Sequence, residues 1–408
     1  MKNALLINVG DELLKGIIPN NNLVEISRFL ITKGVFLSKN IVIQDNSEQL
    51  AEEISKNLEK FDFIIITGGL GPTHDDITRE AVALSLGLNL KYDPELYKKL
   101  RPRFSKFGIP ESEVMKKYAN VIENAEILDN QRGIAPGQYI LHGKTALILI
   151  PGPPGEAISV LENFFSRIPE ERVHFVYLRT FGIKENEILE KCKEELLNVK
   201  SGLYPSIRGV DILLQSEEFE TVKVTAERLK SKLGDLIYTD DLRNIEEIVG
   251  KKLRAKKLTL SVAESCTGGL LGNLITEVPG SSSYFMGGII AYSNDSKIEL
   301  LEVPAEVIEE KGAVSKECAF YLARNLAKLF NTSIAISITG IAGPTGGTKE
   351  KPVGLVYIGI NFENKIYLFR KVFGGTRAEI KMKSALEALH LLNLILDGKT
   401  FPENLVQI

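Results

Sequence analysis

Hydroxyl and thiol side chains cluster where an apolar run ends, in the segment Ser265-Cys266-Thr267. The residues from Leu258 to Val262 have β-strand character, and the apolar residues after Gly269 have helical spacing. The turn would place a nucleophile at a helix N-terminus, where free backbone N–H groups and the helix dipole favour a developing anion. The pattern predicts an acyl-transfer nucleophile, and the alternative interpretation is a helix cap followed by a tight glycine turn.

The rest of the C-terminal half repeats this pattern of apolar runs that end in polar, glycine-rich breaks. Glycine is costly in a packed domain unless the backbone turns sharply or approaches a ligand. The density of these breaks therefore indicates a binding site. They are Gly280 to Ser283, Gly287-Gly288, Tyr292 to Lys297 and Thr339 to Gly347.

A nucleophile for acyl transfer needs a base for its proton and donors for the oxyanion. Residues 251–408 contain one histidine, His390, and its apolar helical neighbours are typical of a core or interface position. The base is therefore expected among lysine, tyrosine and carboxylate side chains. Lys297, shortly after Tyr292, could serve if burial or a nearby cation lowered its pKa by about 3 units, or about 4 kcal/mol. The alternative is a solvated lysine at the start of a helix.

Glycines and acids also follow strands in the N-terminal half, at Gly10 to Glu12, Thr67 to Thr78 and Pro151 to Glu156. Glycine amides can approach phosphate oxygens, and carboxylates are suited to a divalent cation, so these breaks point to nucleotide chemistry. The alternative makes Asp76 a helix N-cap and the other acids ordinary loop residues. The four candidate metal ligands are Asp11, Glu12, Asp75 and Asp76.

The elements that must position these residues indicate an α/β protein with three domains. Strands and helices alternate in residues 1–170, which predicts a mostly parallel, three-layer α/β domain. Residues 171–240 read as a small α+β module, with strands at Val173 to Phe181 and Gly202 to Gln215. A polar hinge at Thr239 to Asn244 precedes an α/β domain in residues 241–408 that ends in a helix from about Arg377 to Leu396.

Composition bounds the class of protein. A chain of 408 residues with 44% hydrophobic residues can bury more than one core. The chain has a net charge of −3, and residues 172–250 contain 12 Lys and Arg against 15 Asp and Glu. Neither the whole chain nor this segment would therefore attract nucleic acid electrostatically. Three scattered cysteines indicate no disulfide framework, and no segment reaches membrane-span length, so a cytoplasmic protein is expected. A homodimer is expected because the middle module lacks a ligand signature but carries apolar residues.

Four motifs in the last domain resemble the CinA C-terminal domain: Ala263 to Gly269, Tyr292 to Lys297, Thr339 to Pro344 and Lys351 to Gly354. The resemblance implies hydrolysis of the amide of nicotinamide mononucleotide without a cofactor. It favours Ser265 over Cys266 as nucleophile, with Lys297 as base and Tyr292 as a proton relay or orienting donor; the alternative for Tyr292 is a packing role. The expected substrate-binding residues are Thr267, Gly268, Gly269, Ser282, Thr339, Gly340, Gly346, Gly347 and Arg377.

The breaks of the first domain, with Asn120 and Gly133 to Gly137, resemble the molybdopterin-biosynthesis-like domain that opens CinA proteins. That resemblance implies metal-dependent cleavage of ADP-ribose, with a cation of unknown identity. One departure is Asn20, where the family has Asp, which puts a metal contact there in doubt. The expected substrate-binding residues are Asn22, Gly68, Gly69, Gly71, Thr73, Thr78, Gly152, Pro153 and Glu156.

Three functions compete at this point. The first is a bifunctional hydrolase, a nicotinamide mononucleotide deamidase joined to an ADP-ribose pyrophosphatase. The second is a deamidase whose first domain only binds a nucleotide or pterin phosphate, which Asn20 favours. The third is an adaptor for DNA uptake or repair; low basicity argues against it, as does a middle module that resembles a KH domain but lacks its Gly-x-x-Gly loop.

Overall fold

The computed structural model describes residues 2–110, 112–168, 174–363 and 365–407. Contacts divide the chain into two units, Met1–Val173 and His174–Ile408. The predicted start of the middle module, at residues 171–173, lies outside the described residues. No helix in the described ranges combines the length and apolarity that crossing a bilayer requires.

Unit 1 is built on one six-stranded sheet with the strand order β2-β1-β3-β8-β7-β6. The first four are parallel, and β7 and β6 complete the sheet antiparallel. The strands of the unit are β1 Lys2–Val9, β2 Val35–Ile43, β3 Phe63–Thr67, β4 Leu90–Tyr92, β5 Asn120–Ile122, β6 Glu126–Leu128, β7 Gly137–His142 and β8 Thr145–Ile150. The helices are α1 Asp11–Leu14, α2 Asn21–Thr32, α3 Ser47–Asn57, α4 Thr78–Leu86, α5 Pro94–Lys106 and α6 Pro154–Phe165, with a 3-10 helix at Glu113–Ala119.

Alternation along β1 explains the three layers of unit 1. Leu5 and Ile7 enter a core with α3 and α4, and Ala4 and Leu6 enter a separate core with α2 and α6. Successive residues of a strand face opposite sides, so a strand with apolar residues at every position requires helices on both faces. The prediction of a mostly parallel, three-layer α/β domain is confirmed.

Unit 2 begins with an antiparallel sheet of order β10-β11-β9-β12. Its helices pack on this sheet through a common apolar core, which gives the predicted α+β module. Its elements are β9 His174–Thr180, α7 Glu185–Leu197, β10 Lys200–Ser206, β11 Gly209–Ser216, α8 Phe219–Leu233 and β12 Ile237–Thr239.

A second sheet in unit 2 has the order β14-β13-β15-β16-β17-β18, with β14, β13 and β15 parallel. Separate apolar cores cover its two faces, one with α9 and α14 and the other with α13. Its strands are β13 Leu260–Glu264, β14 Phe285–Ile290, β15 Ile334–Gly340, β16 Leu355–Phe362, β17 Lys365–Val372 and β18 Leu405–Gln407. Its helices are α9 Ile245–Lys256, α10 Leu270–Thr276, α11 Asn294–Leu301, α12 Ala305–Lys311, α13 Lys316–Phe330 and α14 Arg377–Leu396.

The predicted polar hinge before α9 is held in place by a buried arginine. The Arg179 guanidinium donates to the carbonyl oxygen of Leu242 at 3.3 Å, to that of Arg243 at 3.1 Å and to Asn244 Oδ1 at 2.6 Å. It also pairs with Asp211 at 3.0 Å. These contacts tie the predicted hinge segment to the middle module, and its role as a domain boundary stays a prediction.

His390 joins the same two parts of unit 2. Its ring lies 4.7 Å from that of Phe181 and 6.4 Å from that of Tyr238, measured between centroids. The side chain is buried, and this burial lowers the pKa of His390 to about 4. The prediction of a core histidine is confirmed.

Burial of His390 should make the stability of unit 2 depend on pH. Below pH 6.5 the imidazole of His390 is protonated in the unfolded chain, whereas in the folded chain it stays neutral down to about pH 4. The stability of the folded state therefore falls as the pH falls from 6.5 to 4. The loss should be about 3 kcal/mol. The free energy of unfolding in urea, measured between pH 6.5 and pH 4, should lose this pH dependence in His390→Leu and keep it in His174→Leu. The same pH dependence in wild type and His390→Leu would contradict the assignment.

Candidate active site

A cavity of unit 2 has a volume of about 250 Å³ and opens where three parallel strands end. Ser265 follows β13, Tyr292 follows β14, and Thr339 lies at the end of β15. Ligands in open α/β sheets bind beyond the carboxyl ends of strands, so the topology brings these predicted residues together. The cavity is lined by Ser265, Cys266, Tyr292, Asn294, Lys297, Ala313, Val314, Thr339, Gly340, Ile341, Ala342, Gly343, Thr345, Gly346 and Arg377.

The turn that carries Ser265 is organised by the carboxylate before it. Glu264 is 2% exposed and accepts hydrogen bonds from the N–H groups of Gly269 at 3.0 Å, Leu271 at 3.0 Å and Gly272 at 2.7 Å. Glu264 satisfies these three donors, and its charge complements the helix dipole. They are therefore not available to a substrate anion, and an anion site at the other N–H groups of the turn stays a prediction.

Lys297 lies in α11 and is 1% exposed. Its Nζ atom donates to the carbonyl oxygens of Tyr292 at 3.0 Å and Ser293 at 3.2 Å. Neither acceptor carries a negative charge, and burial lowers the pKa of Lys297. A neutral amine can make both hydrogen bonds and keep one lone pair, which is the form that a general base requires. The alternative of a solvated lysine is wrong.

Ser265 and Lys297 share the cavity without touching. Ser265 is 8% exposed, and its N–H donates to the Ile338 carbonyl at 2.9 Å, which fixes the start of the turn. Within the described ranges no hydrogen bond joins its hydroxyl to Lys297. Catalytic hydrogen bonds often form only when substrate is bound. The pairing of nucleophile and base stays a prediction.

Cys266 is a poor nucleophile in this environment. Burial, with a smaller contribution from the nearby charge of Glu264, raises the pKa of its thiol to about 11. A cysteine reacts as the thiolate, so a thiol that stays protonated at neutral pH is inert. The geometry therefore favours Ser265 among the two candidates.

The Tyr292 side chain is tied to Arg377, the first residue of α14. Arg377 donates from Nη2 to the Tyr292 hydroxyl at 2.9 Å and from Nη1 to the Gly343 carbonyl at 2.7 Å. Tyr292 is 59% exposed, so its ring lies at the mouth of the cavity. Its main-chain carbonyl, rather than its hydroxyl, contacts Lys297, and the relay role of the hydroxyl stays a prediction.

Some predicted binding residues do not line this cavity, namely Thr267, Gly268, Gly269, Ser282 and Gly347. Thr267 is buried, and its hydroxyl has no partner among the described residues. Thr339 does line the cavity, but its hydroxyl donates to the Ala313 carbonyl at 2.7 Å. Sequence reasoning had not assigned Asn294 or Thr345 to the site, although both lie in segments that it had singled out.

Unit 1 has a cavity of about 510 Å³ at the carboxyl ends of β3 and β8. One wall consists of glycine-rich loops, and the other is apolar, with Phe107, Ile109 and Tyr118. The sequence analysis missed that apolar wall because it comes from α5 and the turns after it. The lining is Glu12, Gly68, Gly69, Leu70, Gly71, Asp76, Phe107, Ile109, Tyr118, Gly133, Ile134, Ala135, Pro151, Gly152, Pro153 and Glu156.

Asp76 organises the glycine loop after β3. Its Oδ1 accepts from the Gly71 N–H at 2.7 Å, and its Oδ2 accepts from the N–H and hydroxyl of Thr73 at 2.9 and 2.6 Å. It does not cap α4, because the cap residue is Ile77. The alternative of an N-cap is therefore wrong, and both oxygens are engaged in the loop.

Other residues predicted to bind substrate instead form hydrogen bonds with the loops that follow β3 and β8. Asn22 donates to Thr67 Oγ1 at 3.1 Å and to the Gly152 carbonyl at 2.6 Å, and Thr78 donates to the Gly68 carbonyl at 2.8 Å. Asn20 caps α2 by accepting from the Leu23 N–H at 3.1 Å. An amide can do this as well as a carboxylate, so the departure at Asn20 has a structural explanation.

Of the four predicted metal ligands, Glu12 and Asp76 line this cavity, whereas Asp11 and Asp75 do not. Asp11 pairs with Lys15 at 2.7 Å, and Asp75 is exposed. Burial, followed by the charges of Glu12, Asp11 and Asp75, raises the pKa of Asp45, an acid that the sequence analysis missed. No three acids, histidines or cysteines in the described part of the chain could share an ion. This donor set still fits Mg²⁺, which takes one or two carboxylates and completes its shell with phosphates and water.

The comparisons with known proteins agree over nearly the whole length. Residues 242–396 match the model of the CinA C-terminal domain, and residues 5–170 match that of a probable molybdopterin binding domain. A CinA-like protein of Thermosipho melanesiensis is 40% identical over 403 residues, which cover 97% of this chain and 100% of that protein. A putative competence-damage inducible protein of Moorella thermoacetica is 38% identical over 95% of this chain and 97% of its own.

Among solved structures, the chain is similar to the CinA protein of Thermoplasma acidophilum. The two are 30% identical with a TM-score of 0.38, and the match covers 41% of this chain and 98% of that one. The MoaB enzyme of Thermus thermophilus is 17% identical with a TM-score of 0.28, over 42% of this chain.

Glu264→Gln should loosen the turn that carries Ser265. The amide keeps one acceptor oxygen but turns an NH₂ group towards backbone donors, at a cost of about 1–3 kcal/mol. Hydrogen exchange of a peptide covering residues 265–276 should therefore be faster. Glu277→Gln, in which an exposed carboxylate is changed at the other end of α10, is the matched control. Unchanged exchange in Glu264→Gln would contradict the role of this carboxylate.

Proposed function

The chain belongs to the CinA family, and from that premise we propose that unit 2 hydrolyses the amide of nicotinamide mononucleotide. The products are nicotinate mononucleotide and ammonia. The observation that supports this function is a single cavity shared by Ser265 and a buried lysine whose pKa is lowered. This pair has the parts of a serine–lysine hydrolase, in which lysine replaces histidine as the base.

In the proposed reaction, Ser265 Oγ attacks the carboxamide carbon as Lys297 takes the hydroxyl proton. The protonated lysine then returns a proton to the leaving nitrogen, the C–N bond breaks, and ammonia departs from an ester on Ser265. Water attacks this ester while Lys297 again accepts a proton. Lys297 then returns that proton to Ser265 Oγ as the C–O bond breaks, which releases the carboxylate and regenerates the hydroxyl and the neutral amine. Both nucleophilic attacks need Lys297 to be neutral at their start, so the rate should rise with pH through its lowered pKa.

Variants of three cavity residues test the assignment. Ser265→Ala and Lys297→Ala should each reduce ammonia release by two orders of magnitude or more, and the double variant should be little worse because the two residues act as a unit. Cys266→Ala should keep most of the activity, since the thiol stays protonated. Ammonia release that survives Ser265→Ala but disappears in Cys266→Ala would establish a thiol nucleophile instead.

For unit 1 we propose metal-dependent cleavage of ADP-ribose at the diphosphate. A cavity with glycine loops on one wall and Phe107 and Tyr118 on the other suits a ligand with phosphates and a flat ring. Of the four predicted metal ligands we assign Glu12, which lines the cavity, and Asp75 to the cation, since Asp76 is engaged in its loop and Asp11 pairs with Lys15. A bound cation would neutralise the diphosphate.

A chelator should therefore abolish ADP-ribose cleavage and leave ammonia release unchanged. Glu12→Gln and Asp75→Asn should have the same selective effect, because each removes a charge without shortening the side chain. The deamidase of the same preparation serves as the internal control. Loss of both activities together would contradict the proposal of two independent sites.

The engagement of Asp76 favours one alternative, in which unit 1 binds a nucleotide or pterin phosphate without cleaving it. ADP-ribose that binds to the metal-loaded protein and is recovered intact would establish this alternative. A homodimer and a cytoplasmic location also stay predictions from the sequence.

A further inference from the structure

The lining of the cavity around Ser265 contains one cation and no acid. The cation is Arg377, and no aspartate or glutamate is among the described lining residues; Lys297 is present as the neutral amine before the reaction begins. Arg377 lies at the cavity mouth, and its two hydrogen bonds are to an uncharged carbonyl and an uncharged hydroxyl. Among the described residues, Arg377 forms no ion pair. A cavity with this charge selects a ligand that carries negative charge of its own.

A second cation on α14 extends this surface past the cavity. Lys381 follows Arg377 by one helical turn, which places both side chains on the same face of the helix. Lys381 Nζ lies 3.6 Å from the position that a Cβ atom on Gly268 would occupy. Gly268 belongs to the turn of Ser265, since its N–H donates to the Ser265 carbonyl at 3.1 Å.

Neighbouring acids do not neutralise this pair. Glu379, the acid in the first turn of α14, accepts hydrogen bonds from the N–H and hydroxyl of Thr376 at 2.7 and 2.9 Å. Glu264 is occupied by its three backbone hydrogen bonds and forms no salt bridge with Lys381 among the described residues. In the described ranges Lys381 has no salt bridge either. Two cations one turn apart at the start of a long helix suit a doubly charged oxyanion.

We propose that Lys381 and Arg377 bind the phosphate monoester of the substrate, and that Lys381 determines specificity for the phosphorylated nucleotide. This inference rests on the deamidase function proposed for the cavity. In this arrangement Lys297 acts as the base for the reacting amide at one end of the cavity, and the two cations of α14 bind the phosphate at the other end. Lys381 acts on substrate binding and takes no part in bond breaking.

Lys381→Gln should raise KM for nicotinamide mononucleotide about tenfold, the effect of one charge-assisted hydrogen bond, with little change in kcat. It should not affect the slower turnover of nicotinamide riboside, which lacks the phosphate. Lys381→Arg should restore most of the affinity, and Lys381→Glu should weaken it further. The matched control is Lys328→Gln, an exposed lysine in the last turn of α13, at the opposite end of β15.

Binding of inorganic phosphate separates this inference from the proposed reaction. Phosphate should raise the Tm of the wild type and of Lys328→Gln, and the shift should be much smaller in Lys381→Gln. If the wild type released no ammonia but this pattern held, the deamidase function would fail and the anion site would stand. Equal KM values and equal Tm shifts in Lys381→Gln and wild type would overturn the inference.

Discussion

The burial of Lys297 against two main-chain carbonyls is the constraint on which the catalytic unit depends. A cation without a carboxylate partner is unfavourable in a buried position, so the fold stabilises the neutral amine. The same buried environment keeps Cys266 protonated. One physical effect therefore keeps Lys297 in the form that the proposed base requires and suppresses the competing thiol, which supports Ser265 as the proposed nucleophile.

Both units position their glycine loops with an internal carboxylate. In unit 2, Glu264 accepts three N–H groups at the start of α10, and in unit 1, Asp76 accepts the N–H groups of Gly71 and Thr73. Each acid lies in a motif that resembles a ligand site. The charge fixes the loop, and other cavity-lining groups, such as Lys297 in unit 2 and Glu12 in unit 1, are the ones that we propose to contact the ligand.

The fold could be predicted from the sequence because many of its strands are either apolar over most of their length or alternate between apolar and polar residues. β1 requires helices on two faces, and the strand order brings the motifs after β13, β14 and β15 to one edge. The role of each acid could not be predicted, since a carboxylate beside glycines is equally suited to backbone N–H groups and to a cation. The contacts of Arg179 and Lys381 could not be predicted either, because Arg179 binds Asn244 and Lys381 lies near Gly268, and both neighbours are distant in the sequence.

The central claim is that Lys297 is neutral when the reaction begins, and its titration tests this directly. Lysine labelled with ¹³C at the ε carbon gives NMR signals that report each amine, and Lys297→Arg identifies the signal of this residue by its absence. The account predicts that the Lys297 signal titrates well below the ordinary lysine pKa of 10.5. A signal that titrates with those of the exposed lysines would contradict it.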